Sequence, residues 1–322
     1  MKFINGTTDI RLTRTAVTLG KFDGLHRGHQ VLLNELAGRK KEGYTTVMFT
    51  FQCHPMNLFS DKEVELINTE TENRYYLEEG RIPAPKPDIL IAYPFTRETA
   101  DMSPEAFVSD ILSGRLDAKI IVVGSDYRFG KDRRGNISLL GHLSARYGYE
   151  LVVKDKLNCM GSEISSTRIR SEIIKGDMEL ARRLLGYPYT IFGTVEHGRN
   201  MGHKMLLPTI NLYPQSSKLL PPNGVYHSIT RVDGREYFGV TNIGLKPTVG
   251  GESRKGAETY LFDFDRDIYG RQVEVELYHF ERPERRFSSI DELRSQILKD
   301  ADSAREYFRR HVLWSRGDEC RP

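Results

Sequence analysis

At 322 residues the chain is long enough for two domains, each with its own hydrophobic core. Its 39% hydrophobic and 28% charged residues are those of an ordinary soluble protein, and 47 Lys plus Arg against 44 Asp plus Glu leave a net charge of only +3. The two signs are interspersed, which argues against a dedicated nucleic-acid binder, since such proteins carry a basic stripe. Arg133-Arg134 and Arg285-Arg286 read either as phosphate contacts or as plain solvated faces. Cys53, Cys159 and Cys320 are odd in number, far apart and without a CxxC pairing, which speaks against a disulfide framework and a structural zinc site. The opening MKFINGTTDIRLTRT lacks the apolar core of a signal peptide, and no run approaches the roughly 18 apolar residues of a membrane helix. A cytoplasmic location is therefore expected, with no membrane and no nucleic-acid partner.

In chain order, the first half alternates short β-rich runs with helical patterns. Expected strands are Thr15–Leu19, Thr45–Phe51, Asp88–Tyr93, Lys119–Val123 and Tyr149–Val153, with helices such as His29–Lys40 and Pro104–Leu112 between them. Near-continuous apolar strands separated by helices point to a parallel sheet covered on both faces, a doubly wound, Rossmann-like α/β domain. Asp177 is placed to cap a helix Met178–Leu185, Gly186 to end it and Pro188 to block its continuation. Beyond it, Tyr189–Val195, Gly224–Arg231, Tyr237–Ile243, Glu258–Phe264 and Gln272–Phe280 read as strands joined by Gly, Pro and Asp turns, which suggests a small antiparallel barrel. Ser289-Ile290-Asp291-Glu292 fits a capping box for a final helix whose apolar face runs from Ile290 to Phe308. The expected division is 1–185, 186–314 and a disordered tail, 315–322.

Ligands of doubly wound sheets bind at the carboxyl ends of the strands, and the unusual residues of the first half collect there. After the first strand comes Gly20-Lys21-Phe22-Asp23-Gly24-Leu25-His26-Arg27-Gly28-His29, after the second His54-Pro55, and after the fourth Gly124-Ser125-Asp126-Tyr127-Arg128-Phe129-Gly130. In His26-x-Gly28-His29, Gly28 lets the backbone approach a phosphate and the helix N-terminus offers free N–H groups. Two imidazoles there can donate to charge developing on a transferring phosphate. The competing reading is a helix cap filling a turn. A second anion site is read at Ile164-Ser165-Ser166-Thr167-Arg168-Ile169-Arg170, where a hydroxyl-capped helix start meets a guanidinium; otherwise it is a capped helix with a surface arginine. No GxxxxGK(S/T) occurs, which excludes a P-loop mechanism. In the second half a Gly-punctuated loop, Gly198-Arg199-Asn200-Met201-Gly202, precedes Pro208-Thr209-Ile210-Asn211. Thr209 and Asn211 offer hard oxygens to Mg²⁺ and nucleotide phosphates, and Glu258, read as opening a strand, offers a base toward a hydroxyl.

Taken together, these residues resemble the bacterial bifunctional riboflavin kinase/FMN adenylyltransferases. LGKFDGLHRGHQ, TFQCHP, VVGSDYRFGKDRRG, ISSTRIR, LPTIN, PPNGVY, GVTNIGLKPTVGG, ETYLFDFDRDIYG and RPERRF occur in the family's order, from about Ala16 to Phe308. The resemblance implies an N-terminal nucleotidyltransferase and a kinase in a six-stranded barrel, with Mg²⁺, ATP as co-substrate, and riboflavin, FMN and FAD as substrate and products. By the match, His26, His29 and Arg170 act in adenylyl transfer, and Glu258 takes the proton of the ribityl 5′-hydroxyl. Gly20, Phe22, Asp23, Gly28, Ser165, Thr167, Gly198 and Gly202 would bind ATP, His54, Asp126, Phe129 and Arg282 the flavin, and Thr209 and Asn211 the metal. The chain departs from the family pattern at Lys21, Cys53, His203, Leu206-Leu207 and Tyr260. Two alternatives stay open: an adenylyltransferase with a weakened kinase half, and a flavin-binding regulator. The oligomeric state is not legible.

Overall fold

The computed structural model describes residues 1–52, 64–197, 209–247 and 253–311. The chain divides into two compact units, Met1–Ser166 and Thr167–Pro322.

The first unit is built on six parallel strands, β1 (Lys2–Asn5), β2 (Thr15–Leu19), β3 (Thr45–Phe51), β4 (Ile89–Tyr93), β5 (Ala118–Gly124) and β6 (Glu150–Lys154), in the order β1-β4-β3-β2-β5-β6. A parallel sheet is covered on both faces, so its inner strands carry apolar residues without alternation. TAVTL of β2 and ILIAY of β4 are buried at every position. Helix α1 (Arg27–Lys40) covers one face with Leu32, Leu33 and Leu36. On the other face Val17, Phe49, Ile91 and Ile121 pack with Val108, Ile111 and Leu140. Those residues come from α4 (Pro104–Ala106) with its π-helical continuation Phe107–Ser113, and from α5 (Ile137–Tyr147). Two further helices, α2 (Glu70–Glu78) and α3 (Arg97–Asp101), precede α4, and a short hairpin, β7 (Asn158–Cys159) with β8 (Ser162–Glu163), follows β6.

The chain runs from β2 outward through β3 and β4, then returns to place β5 and β6 on the other side of β2. The switch point, where such sheets open a crevice for ligands, therefore lies between β2 and β5. β1, paired to the outer edge of β4, was not expected from the sequence.

The second unit opens within α6 (Ser166–Lys175), from Thr167 on, and continues with α7 (Met178–Leu185). Asp177 caps α7 by accepting from the Leu180 N–H at 2.9 Å, and Gly186 ends it at φ 84°. Six antiparallel strands follow: β9 (Tyr189–Thr194), β10 (Thr209–Leu212), β11 (Gly224–Val232), β12 (Arg235–Pro247), β13 (Ser253–Leu261) and β14 (Gln272–Arg282). Their order is β10-β13-β12-β11-β14-β9, and Glu196 just beyond β9 bridges Asn211 of β10, so the sheet curls into a half-barrel. Helix α8 (Ile290–His311) lays Ala301, Ala304 and Phe308 on Val225, Val240 and Tyr278. Its Ser289 hydroxyl accepts from the Glu292 N–H, while the Glu292 carboxylate reaches back to Ser288, one residue earlier than the capping box predicts.

Two expectations change. The compact units divide at 166/167, and α7 packs on β9 and β14 within the second. Thr209–Leu212, for which no strand was expected, is a strand held by β13. Glu258 does not open its strand: β13 begins at Ser253, so Glu258 lies inside it, paired on both sides. Cys159 is buried. Cys53, Cys320 and the tail 315–322 lie outside the described residues. Among the described residues no helix is long and apolar enough to cross a membrane.

Candidate active sites

In the first unit one loop carries the chemistry. Between β2 and α1 the backbone turns through positive φ at Phe22 (50°), Gly24 (83°) and Leu25 (39°), with Phe22 and Leu25 fully buried. Non-glycine residues in this region are held there only by surrounding structure. Here the hold comes from Asp23, whose buried carboxylate accepts from the Ile67 and Asn68 N–H groups at 2.8 and 3.4 Å, and from Asn73, which donates to the Phe22 carbonyl at 3.0 Å. The Ser166 hydroxyl donates to the Asp23 carbonyl at 2.9 Å.

His26 occupies the N-cap position of α1, yet its side chain makes no capping hydrogen bond. The two imidazoles instead stack, centroids 3.7 Å apart and planes 18° apart, with the Phe22 ring 5.1 Å from His29. A Cβ at Gly28 would stand 3.1 Å from the His26 ring, so the glycine makes room for this stack as well as for an approaching ligand. The Nδ1 atoms of both rings are buried without a hydrogen-bond partner among the described residues. Burial lowers the His26 pKa to about 4 and, with the neighbouring His26, takes His29 well below its ordinary value. Both rings are thus neutral at pH 7, each with one N–H donor at a helix N-terminus. Fixed donors that need no reorganisation stabilise charge appearing on a phosphate in transit.

Asp126 stands across the switch point at the end of β5, and its negative charge acts on His26. Lys156 Nζ lies 3.0 Å from Asp126 Oδ2 and 2.8 Å from Glu163 Oε2. It thereby ties the loop after β5 to the hairpin that precedes Ser165. A lone lysine carries no signal in sequence, and it was not singled out. Phe129, expected at the flavin, is buried in the core, 5.7 Å from Phe107, and Gly135 leaves the space its ring occupies. Asp23 and Phe22, expected at ATP, make contacts within the unit, the one to the Ile67 and Asn68 N–H groups and the other to the His29 ring. A cavity of about 80 Å³ beside the loop, lined by Lys21, Phe22, Thr50, Phe51 and Asn68 among others, is well below the ~300 Å³ at which ligand pockets begin. Thr167 and Arg170 lie on α6, in the second unit. Cys53 and His54 lie outside the described residues.

In the second unit the candidate residues come together through strand register. Asn211 of β10 faces Glu258 of β13, and Glu258 faces Asn242 of β12. Directly opposed residues share a face of the sheet, so the three form one polar row, with Thr209 two residues along on the same face. Asn211 is 7% exposed and Glu258 half-buried. A threonine hydroxyl, an asparagine amide and a carboxylate are the hard-oxygen donors that Mg²⁺ prefers, so the set fits that ion. Two β-bulges flank the His279–Phe280 stretch of β14. The second leaves Glu281 as the extra residue beside Arg282, and both side chains reach α8, Glu281 to Ser303 (3.1 Å) and Arg282 to Asp300 (3.0 and 2.6 Å). The Arg282 guanidinium, expected at the flavin, is thus engaged with a buried carboxylate. Gly198, Gly202, His203, Leu206 and Leu207 lie outside the described residues.

A parallel α/β unit with paired imidazoles at its switch point, followed by an antiparallel half-barrel with a carboxylate–amide row, defines a two-part phosphate-transfer enzyme. The FAD synthetase family model matches residues 9–168 and the riboflavin kinase model residues 185–308. Among curated relatives, the bifunctional riboflavin kinase/FMN adenylyltransferase of Escherichia coli K12 is 37% identical over 91% of this chain and 92% of its own. That of Haemophilus influenzae is 36% identical over 91% and 94%, and that of Buchnera aphidicola 35% identical over 96% and 99%. This chain belongs to the family of bifunctional riboflavin kinase/FMN adenylyltransferases. A crystal structure described as a macrolide-efflux protein from Streptococcus pneumoniae matches with a TM-score of 0.83 and 28% identity over 95% of this chain and 99% of that one. The efflux description belongs to that protein alone.

Proposed function

We propose that the chain makes FAD from riboflavin in two ATP-dependent steps, one in each unit. In the second unit the ribityl 5′-hydroxyl attacks the γ-phosphate of ATP, Glu258 takes the hydroxyl proton, and ADP leaves with FMN formed. In the first unit a phosphate oxygen of FMN attacks the α-phosphate of a second ATP, the new P–O bond replaces the bond to pyrophosphate, and FAD results. No base is needed there because the attacking phosphate is already ionised. His26 and His29 donate to the oxygens that gain charge.

The observation that carries the reading is the stack of His26 and His29 with unpartnered, buried Nδ1 atoms, in a chain matched by both family models. Thr209 and Asn211 would hold Mg²⁺, which when bound neutralises developing phosphate charge. Ser165, Thr167 and Arg170 as holders of phosphate, Gly198 and Gly202 as a nucleotide loop, and His54 at the flavin are proposed from their motifs. Asp126 is proposed on the flavin side, supported by its place at the switch point. A Rossmann-like nucleotidyltransferase joined to a closed kinase barrel is the finer fold proposed. The division of labour at about 185 is supported by where the two family models stop and start.

The test is a time course of purified protein with riboflavin, Mg²⁺ and ATP. FMN is expected first and FAD at its expense. FAD formed only from supplied FMN would mean a weakened kinase, and binding without turnover would mean a regulator.

A further inference from the structure

The face that carries Glu258 holds a second amide that the two-step reading leaves unused. Asn242 stands directly opposite Glu258 in the β12–β13 register, as Asn211 does from the β10 side. In an antiparallel pair this puts Cβ atoms about 4.5–5.5 Å apart, so Asn242 is a neighbour of the proposed base.

Its orientation is fixed from one side. Asn242 Nδ2 donates to Glu284 Oε1 at 3.2 Å, and Asn223 Nδ2 donates to Glu284 Oε2 at 3.2 Å. An ionised carboxylate only accepts hydrogen bonds, so the nitrogen of the Asn242 amide must face Glu284 and its oxygen must face away. Gly244 is part of the same arrangement, since a Cβ there would collide with the Glu284 carboxylate. Asn242 Oδ1 is buried and has no hydrogen-bond partner among the described residues. Buried amide oxygens without a donor are rare in native proteins because they forfeit their bond to water. This one is kept beside the group proposed to accept a substrate proton.

We propose that Asn242 is a substrate-positioning residue of the kinase: its Oδ1 accepts a hydrogen bond from a ribityl hydroxyl next to the reacting one. Glu284, on the segment that follows β14, is the positioning residue that sets the amide's orientation. The inference rests on the kinase reading above. A ribityl chain is a polyol, so it supplies the donor that the protein lacks. An acceptor at this point fixes the chain's torsion and with it the reach of the terminal hydroxyl toward Glu258.

The test compares two flavins in the kinase assay of the full chain: riboflavin as substrate, and lumiflavin, which has the same ring but no ribityl chain, as competitive inhibitor. Asn242→Leu keeps the volume and deletes the acceptor. The expected result is a fall of about 10–100-fold in kcat/KM for riboflavin, with the lumiflavin inhibition constant unchanged within about twofold. Glu284→Ala, at an exposed position, should raise the riboflavin KM about 5–10-fold, and Glu284→Gln should restore most of the loss. If Asn242→Leu fails to fold, the Glu284 pair carries the same comparison. Equal weakening of both flavins, or no effect on either, would overturn the assignment. So would a change confined to the Mg²⁺ requirement, because the oxygen would then be a metal ligand. Failure of the kinase reading looks different: the wild-type chain would form no FMN, or Glu258→Gln would leave FMN formation intact.

Discussion

In the first unit the side chains proposed to act, His26 and His29, come from a single loop, Gly20–His29, whose shape is set by positive-φ residues buried beneath it. In the second unit Asn211, Glu258 and Asn242 come from three strands and meet only because β10, β13 and β12 pair in one register. A motif of the first kind carries its geometry in its own sequence, while a row of the second kind depends on long-range pairing. A register slip by one residue would turn the whole row to the other face. The first design is locally stiff and the second is held globally.

Glu258→Gln should break the comparison most sharply. It preserves size and pairing while removing basicity, so FMN formation should fall about 10²–10⁴-fold with the fold intact. A quantitative FMN assay against unchanged thermal unfolding checks this, and full retention of kinase activity would make Glu258 a plain strand residue. His29→Ala comes next, with FAD formation from supplied FMN falling about 10²–10³-fold, the scale of one lost transition-state donor.

Gly130→Ala probes local stiffness. Gly130 has φ 68° and ψ −177°, a region closed to side chains, and a Cβ there would stand 2.7 Å from the Pro104 nitrogen. Strain and overpacking together should cost the first unit about 2–5 kcal/mol. Hydrogen exchange along α1 measures that loss, and strands of the second unit should keep their protection.

The smallest effect is a difference in acid response. His26 and His29 have lowered native pKa values, so the unfolded chain takes up protons near pH 6.5 that native His26 refuses until about pH 4 and native His29 until well below its ordinary value. The stability they contribute is present above pH 6.5 and is lost as pH falls through that window. In the second unit two histidines oppose each other. His227, buried beside Glu281, is lowered to about 4 and acts in the same direction. His279 is raised by its hydrogen bond to Glu179, so its contribution is present below pH 6.5 and is lost as pH rises. Between pH 6.5 and 5 protection along α1 should therefore fall more steeply than along β11. Equal slopes would mean that the stacked pair is not neutral in the native state.

The same contrast explains what was legible in the sequence. Thr15–Leu19 and Thr45–Phe51 were readable to the residue because buried parallel strands are unbroken apolar runs bounded by turn residues. Asp177 and Gly186 announced α7 through local chemistry. β1 and β10 were not readable, since four-residue strands owe their existence to the partners β4 and β13. The HxGH segment was legible as the turn between a strand and a helix, but the packing of Phe129 and the ion pair of Arg282 were not. Phe129 is drawn into the core by Phe107 and the gap at Gly135, and Arg282 by Asp300, which is 18 residues further along the chain. Asn242 was invisible because an asparagine in a strand gains meaning only from what stands opposite it.

The central claim is that the two chemistries reside in separate units, and it is tested most directly by assaying His29→Ala and Glu258→Gln side by side in both half-reactions. The predicted result is a crossed loss: His29→Ala forms FMN from riboflavin at the wild-type rate but little FAD, and Glu258→Gln forms FAD from supplied FMN at the wild-type rate but little FMN. A folded variant of either kind that lost both half-reactions together would contradict the account.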